Sequence, residues 1–178
     1  MPTVVGARAA TGVVIAGDRL ETRDGVVVSD DVERVTAIDT LILGSAGVTS
    51  AVQELQAAMS REQREHAIEH DSPLSADRLE RLLATYTREF ETSSLAATTD
   101  HDGTAILFQA DESGAVTRED TAAIGTGAAI ALGLLEQLDR NASVATVREQ
   151  LIELLRIVTN RDTETGTAID YEELLDSD

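Results

Sequence analysis

Four short patches carry side chains of the types that chemistry uses. "AGDR" ends a strand-like run on Asp18, a carboxylate at a strand end, where it can cap a turn or hold a charged partner. Arg34, in "VERVTAI", falls on the same alternating face as Val32 and Thr36, so its cation points with apolar neighbours. An inward guanidinium needs a carboxylate, and Asp18 is the expected partner. "GTG" puts Thr126 between Gly125 and Gly127 just before a helical pattern, where a hydroxyl caps the helix or meets an anion at its positive end. "RDTETG" puts Asp162 and Thr165 three apart in a loop, the spacing of an Asx or Thr turn. A fifth feature is the start itself. A strand pattern begins at residue 3, although chain ends fray unless something ties them down. That raises the expectation of an amino terminus held in place for chemistry.

Much chemistry is excluded. Cysteine is absent, so there is no thiolate nucleophile, disulfide or Cys metal site. No GxGxxG, P-loop, HExxH or GxSxG motif is present. His66 and His70 in "EHAIEH" fall on one helix face, but a solvated helix end is the plainer account of them than a metal pair. Neither a cofactor nor a metal is expected.

The elements that must position these patches follow from periodicity. Residues 3–9 and "GVVIAGD" are strands joined by a short loop with Gly12, a hairpin. "RDG" at 23–25 is a turn before the short strand or ribbon "VVVSDD". "VERVTAID" alternates, and "TLILGSAG" is a buried-strand run. Together the first 47 residues read as an antiparallel meander. The period then changes. Val52, Leu55, Met59 and Ala67 predict a helix over about residues 48–70. Ser75 caps a second, with Leu79, Leu82, Leu83, Tyr86 and Phe90 as its stripe. Strands return at "SLAATT", "GTAILFQAD", "AVTRED" and "TAAIGTG", with "DESG" as a hairpin turn. A helix over "AAIALGLLEQL" follows, then one capped by Asn141 or Ser143 with Val144, Val147, Leu151, Leu154, Leu155 and Val158 inward. A loop, a short strand and an acidic tail finish the chain. Strands, two helices, strands, two helices and a last strand predict one α+β domain over 1–178, two facing sheets each covered by a helix pair.

Bulk composition fits. The 178 residues are 42% hydrophobic with two Tyr, two Phe and no Trp, so the core must be small and aliphatic. Net charge is −19, from 33 acidic residues against 14 basic ones, every one of them Arg. Such a chain repels nucleic acid and anionic membranes. Acid dispersed among apolar periodicity argues against disorder and for a surface adapted to high salt, as in salt-accumulating archaea. No run of about 18 apolar residues and no signal-peptide pattern is seen, so a cytoplasmic location is expected.

In combination and order, "TVVGARAATGVVIAGDRLET", "VERVTAI", "GSAG", "IGTGAAIALGLLEQL" and "RDTETG" resemble the β-type subunits of the proteasome and the related HslV peptidase, among the N-terminal nucleophile hydrolases. The resemblance covers nearly the whole chain. It implies a four-layer αββα sandwich and a threonine-type endopeptidase, whose amino-terminal Thr is nucleophile and whose own amine helps as base. On that likeness Thr3 is the candidate nucleophile, Asp18 the supporting carboxylate and Arg34 the basic residue. Gly47 matches the oxyanion-stabilising backbone, Thr126 the hydroxyl of the glycine-flanked loop, and Asp162 and Thr165 the late Asp and Ser. Two departures stand out. Counted back from "IAGD" without gaps, the nucleophile's position is Pro2, and the family's Lys is Arg34, which holds a charge but passes no proton near neutral pH. Three readings follow: a peptidase acting through Thr3 once Met1 and Pro2 are removed; a non-catalytic structural or regulatory β-like subunit; another amide hydrolase or transferase of the superfamily. The first two carry the expectation of a homo-oligomeric ring, with α-type subunits or an ATP-driven unfoldase as partners. Peptide or unfolded protein is the substrate of an active form.

Overall fold

The computed structural model describes residues 1–177. Eleven strands and four helices follow the predicted order among these residues: six strands, two helices, four strands, two helices and a last strand. β1 (Val4–Ala9) and β2 (Gly12–Asp18) form the expected hairpin, and β1 is flanked on its other side by β10 (Thr121–Ile124). β11 (Ile169–Leu175) closes this four-stranded sheet, in the order β10-β1-β2-β11. The second sheet has five strands in the order β5-β6-β7-β8-β9. Its strands are β5 (Val35–Ile38), β6 (Leu41–Ala46), β7 (Ser93–Thr99), β8 (Ala105–Ala110) and β9 (Val116–Glu119).

The meander expected over the first 47 residues is corrected. β1 and β2 lie in one sheet, β5 and β6 in the other, and β3 (Glu21–Arg23) with β4 (Val26–Ser29) forms a separate two-stranded ribbon. Alternation tells which side chains share a face. It does not tell which strand becomes the neighbour, and β10, over a hundred residues on, takes the place beside β1.

Three apolar layers explain the stacking. Val4, Val13, Ile15, Val35, Ile42, Leu95, Leu107 and Ile124 pack between the sheets. The outer face of the first sheet meets α3 (Ala128–Leu135) and α4 (Val144–Thr159) through Val5, Val14, Val147, Leu151 and Leu155. The outer face of the second meets α1 (Thr49–His70) and α2 (Ala76–Glu89) through Leu43, Phe108, Leu55, Leu79 and Leu83. This is the αββα sandwich. Gly44 lets the sheets close: a Cβ there would stand 2.7 Å from both Ile15 Cγ2 and Val4 Cγ1.

Helix limits follow local chemistry. Ser75 and Ser143 cap α2 and α4, accepting from Arg78 N at 3.3 Å and Thr146 N at 3.2 Å. All six predicted inward residues of α4 are buried. On α1 the inward position two turns from the end is Gln63 rather than Ala67. Its amide donates to Asp39 Oδ2 at 2.8 Å and accepts from Leu74 N at 3.3 Å, which satisfies a buried polar group. α3 stops at Leu135, three residues short of the predicted run. His66 and His70 stand side by side near the end of α1, ring centroids 4.4 Å apart. The expected acidic tail is shorter, because β11 takes up Glu172 and Glu173; its last residue, Asp178, lies outside the described residues.

Candidate functional site

Strand register brings the distant patches to one end of the sandwich. Val4 pairs with Gly17 across the hairpin, so Thr3 sits opposite Asp18. Val4 also pairs with Ile124, so the Gly125–Thr126–Gly127 turn falls beside Pro2 and Thr3. Ile169 pairs with Asp18, so the loop holding Asp162 and Thr165 arrives on the other side. β6 ends at Ala46 and delivers Gly47. Ser45 N donates to Arg34 O at 2.9 Å, which anchors the residue just before β5.

Asp18 is fully buried and accepts three backbone N–H groups: Thr3 N at 2.6 Å on Oδ1, and Leu20 N at 2.9 Å and Gly166 N at 2.8 Å on Oδ2. Burial pushes its carboxyl above the usual range, and the three donors and the Arg34 charge oppose that without cancelling it. The expected Asp18–Arg34 ion pair is corrected. Both Asp18 oxygens accept from the backbone. Arg34 instead donates through Nη1 to Gly47 O at 3.2 Å and through Nη2 to Thr49 Oγ1 at 3.0 Å. Arg34 is 1% exposed, and its Nε has no partner. Burial lowers the guanidinium pKa, with Asp18 and Glu21 opposing through space.

A second network runs through hydroxyls. Gly127 N donates to Thr3 Oγ1 at 2.9 Å. Thr3 Oγ1 lies 2.7 Å from Thr165 Oγ1, and Thr165 donates to Asp162 Oδ2 at 2.7 Å. The Thr165 proton is thereby committed to Asp162, so the Thr3 hydroxyl donates to Thr165. Thr126 Oγ1 lies 2.6 Å from Asp162 Oδ2 and 2.5 Å from Met1 O. Burial pushes the Asp162 carboxyl up, but the Thr126 and Thr165 hydroxyls, Glu164 N–H and the nearby amino terminus outweigh it. Its pKa therefore sits below the ordinary value.

The predicted residues thus form two adjoining groups. Thr3, Asp18, Thr126, Asp162 and Thr165 share one network, while Arg34 and Gly47 line a pocket of about 280 Å³ with Met1, Pro2, Val48 and Thr49. Thr3 is 0% exposed, and its hydroxyl both accepts and donates inside the protein. Pro2, one of the residues lining the pocket, is also buried. Sequence reasoning missed Thr49 and Glu164, and saw Gly125 only as a flank of Thr126. Thr49 opens α1 with no distinguishing pattern. Glu164 pairs with the Met1 ammonium, a contact that depends on folding. Gly125, at φ +94, was legible as a turn glycine. Its function is close approach, since a Cβ there would strike Pro2 O.

Comparison with known proteins agrees with this geometry. The family model described as "Proteasome subunit" matches residues 2–174. Proteasome subunit beta 1 of Hyperthermus butylicus is 31% identical over 175 residues, covering 94% of this chain and 86% of the relative. Proteasome subunit beta 2 of Haloarcula marismortui is 29% identical over 184 residues, covering 98% and 78%. Proteasome subunit beta 1 of Ignicoccus hospitalis is 28% identical over 173 residues, covering 94% and 87%. With the family model covering nearly the whole chain and a relative 31% identical over 94% of it, the chain belongs to the proteasome subunit family, on its β side.

Proposed function

We propose that this chain is a β-type ring subunit whose own site is silent in peptide hydrolysis. One observation carries the reading: the only hydroxyl at the start of β1 belongs to Thr3, and it is fully buried between Gly127 N and Thr165 Oγ1, while Pro2 lines the pocket beside Arg34 and Gly47. A nucleophile needs an approach path and a base within reach. Pro2 has no hydroxyl, and Arg34 passes no proton near neutral pH. The retained Asp18, Thr126, Asp162 and Thr165 then serve the fold, since each satisfies backbone or hydroxyl groups around the first strand.

Ring membership is the other half of the proposal. Its support is the likeness to relatives named proteasome subunit beta, together with Val26, Val27 and Val28 of the β3–β4 ribbon, which are 65%, 60% and 52% exposed. Three exposed valines in a row on an acidic chain are a surface that assembly would cover. The test takes protein purified in molar salt. Its intact mass identifies the first residue, and hydrolysis of fluorogenic peptides is followed with and without added α-type subunits. No turnover, from chains that begin at Met1 or Pro2, is expected. Turnover that Thr3→Ala abolishes, from chains that begin at Thr3, would instead establish a threonine peptidase.

A further inference from the structure

The last two turns of α1 carry a pair of histidines that the site around Thr3 does not use. His66 and His70 stand four residues apart on one helix face, with ring centroids 4.4 Å apart and planes tilted by 51°. They open onto a recess of about 440 Å³ between α1 and α2, which Glu62, Glu65 and Glu69 also line. Glu62 is already committed. It accepts from Tyr86 Oη at 2.7 Å and from Arg78 Nη2 at 3.3 Å, which joins α1 to α2. Glu69 is not. Its side chain is 73% exposed, and its Oε2 lies 3.9 Å from His70 Nε2, too far for a hydrogen bond.

Imidazole suits zinc, copper and nickel, whereas carboxylates alone suit magnesium and calcium. A tetrahedral zinc ion holds nitrogens at about 2.0–2.1 Å, which sets two of them about 3.3 Å from each other. Rings 4.4 Å apart reach that spacing by small side-chain rotations. The position also favours a cation. Glu62, Glu65 and Glu69 outnumber Arg78 and Arg81, the two guanidiniums that line the recess from α2. The carbonyl end of a helix adds partial negative charge, and α1 ends here. Asp71 takes the left-handed cap conformation at φ 50, and its N–H donates to Ala67 O at 3.0 Å. A rival group, Asp100, His101 and Asp102, also brings three ligand atoms together. There the turn itself explains the first carboxylate, because Asp100 Oδ1 accepts from Asp102 N and Thr104 N, both at 2.9 Å.

We propose that His66 and His70 bind a divalent transition-metal ion of the zinc class, with Glu69 as its oxygen ligand and water completing the shell. Bound there, the ion clips the last turn of α1 beside the loop that leads into α2. The inference goes beyond the silent-subunit reading and is measured without any turnover, so either can fail while the other stands.

The experiment is equilibrium dialysis of the full chain in molar potassium chloride against zinc chloride, with bound metal read by atomic absorption. One zinc per chain is expected. His66→Ala and His70→Ala should each weaken binding by about tenfold or more, with far-UV circular dichroism unchanged, and Glu69→Gln should weaken it less. His101→Ala removes the third histidine of the chain and should leave binding as it was. Copper gives a second readout: its electron paramagnetic resonance spectrum should show two nitrogen ligands in the parent protein and fewer in His70→Ala. Saturating zinc should raise the unfolding midpoint of the parent protein but not that of His66→Ala. No zinc bound, or zinc binding that survives both His66→Ala and His70→Ala, would overturn the proposal. So would binding that His101→Ala abolishes. Displacement of zinc by an equal concentration of magnesium would overturn it too, since the site would then read only carboxylates.

Discussion

Asp18 shows how one carboxylate can organise an active-site-like corner without an ion pair. Its two oxygens take three N–H groups from three separate chain segments, at Thr3, Leu20 and Gly166. Asp18→Asn is nearly isosteric but turns one acceptor oxygen into a donor amide. Whichever way the amide points, at least one N–H then faces another donor. A loss of about 1–3 kcal/mol is expected, the cost of a buried unsatisfied donor. Thermal unfolding in high salt checks this, at roughly 2–4 °C per kcal/mol for a domain of this size. Thr3→Val is the companion test. It keeps the shape but strands Gly127 N, so it should destabilise by a similar amount. Under the proposed silent-subunit reading, peptide hydrolysis should not change.

At the scale of elements, the end of the sandwich away from Thr3 is tied by Asp176, just past β11. It takes Arg8 of β1 in a two-pronged pair, at 2.6 and 2.8 Å, and Ala105 N of β8 at 2.8 Å. One side chain thus ties the two sheets together. The Arg8 hydrogen bonds, with Ala105 N–H and the Arg8 charge, outweigh burial and hold its pKa below the usual carboxylate value. A carboxylate with a depressed folded pKa adds stability above its unfolded pKa and loses it as pH falls through the folded value. Asp162 is depressed in the same direction, whereas the raised Asp18 favours folding on acidification. Asp176→Asn should therefore lower stability at neutral pH, and the gap to the parent protein should narrow as pH drops below the ordinary carboxylate pKa. Unfolding midpoints across a pH series at constant salt measure that gap. A gap independent of pH would show that Asp176 acts through shape alone.

The whole molecule carries −19 charges, and ring assembly would multiply them. Self-repulsion opposes both the compact chain and its association until salt screens it, with a Debye length of about 3 Å at 1 M against about 10 Å at 0.1 M. Dilution from molar salt to dilute buffer is expected to dissociate the assembly first and unfold the chain next. Light scattering and circular dichroism on one salt series would show this order, and an assembly surviving in dilute buffer would reject salt adaptation. Val27→Asp on the exposed ribbon should lower the oligomeric mass without shifting the circular dichroism of the chain. Among the described residues no helix is long and apolar enough to cross a membrane.

The sequence alone determined element order, helix caps and the inward stripes, because each depends on near neighbours and a local period. Ser75, Ser143 and the six inward residues of α4 were legible for that reason. So were the candidate patches around Asp18, Thr126, Asp162 and Thr165, whose order along the chain carries the family likeness. Tertiary structure decided the rest. Which strand pairs with β1, which sheet takes β5 and β6, and whether Asp18 meets Arg34 depend on residues far apart in the chain competing for the same partners. The backbone won at Asp18: three convergent N–H groups bond its oxygens, and no ion pair to Arg34 forms. Arg34 lies in the interior with the Gly47 carbonyl and the Thr49 hydroxyl as its partners, which local pattern has no means of recording.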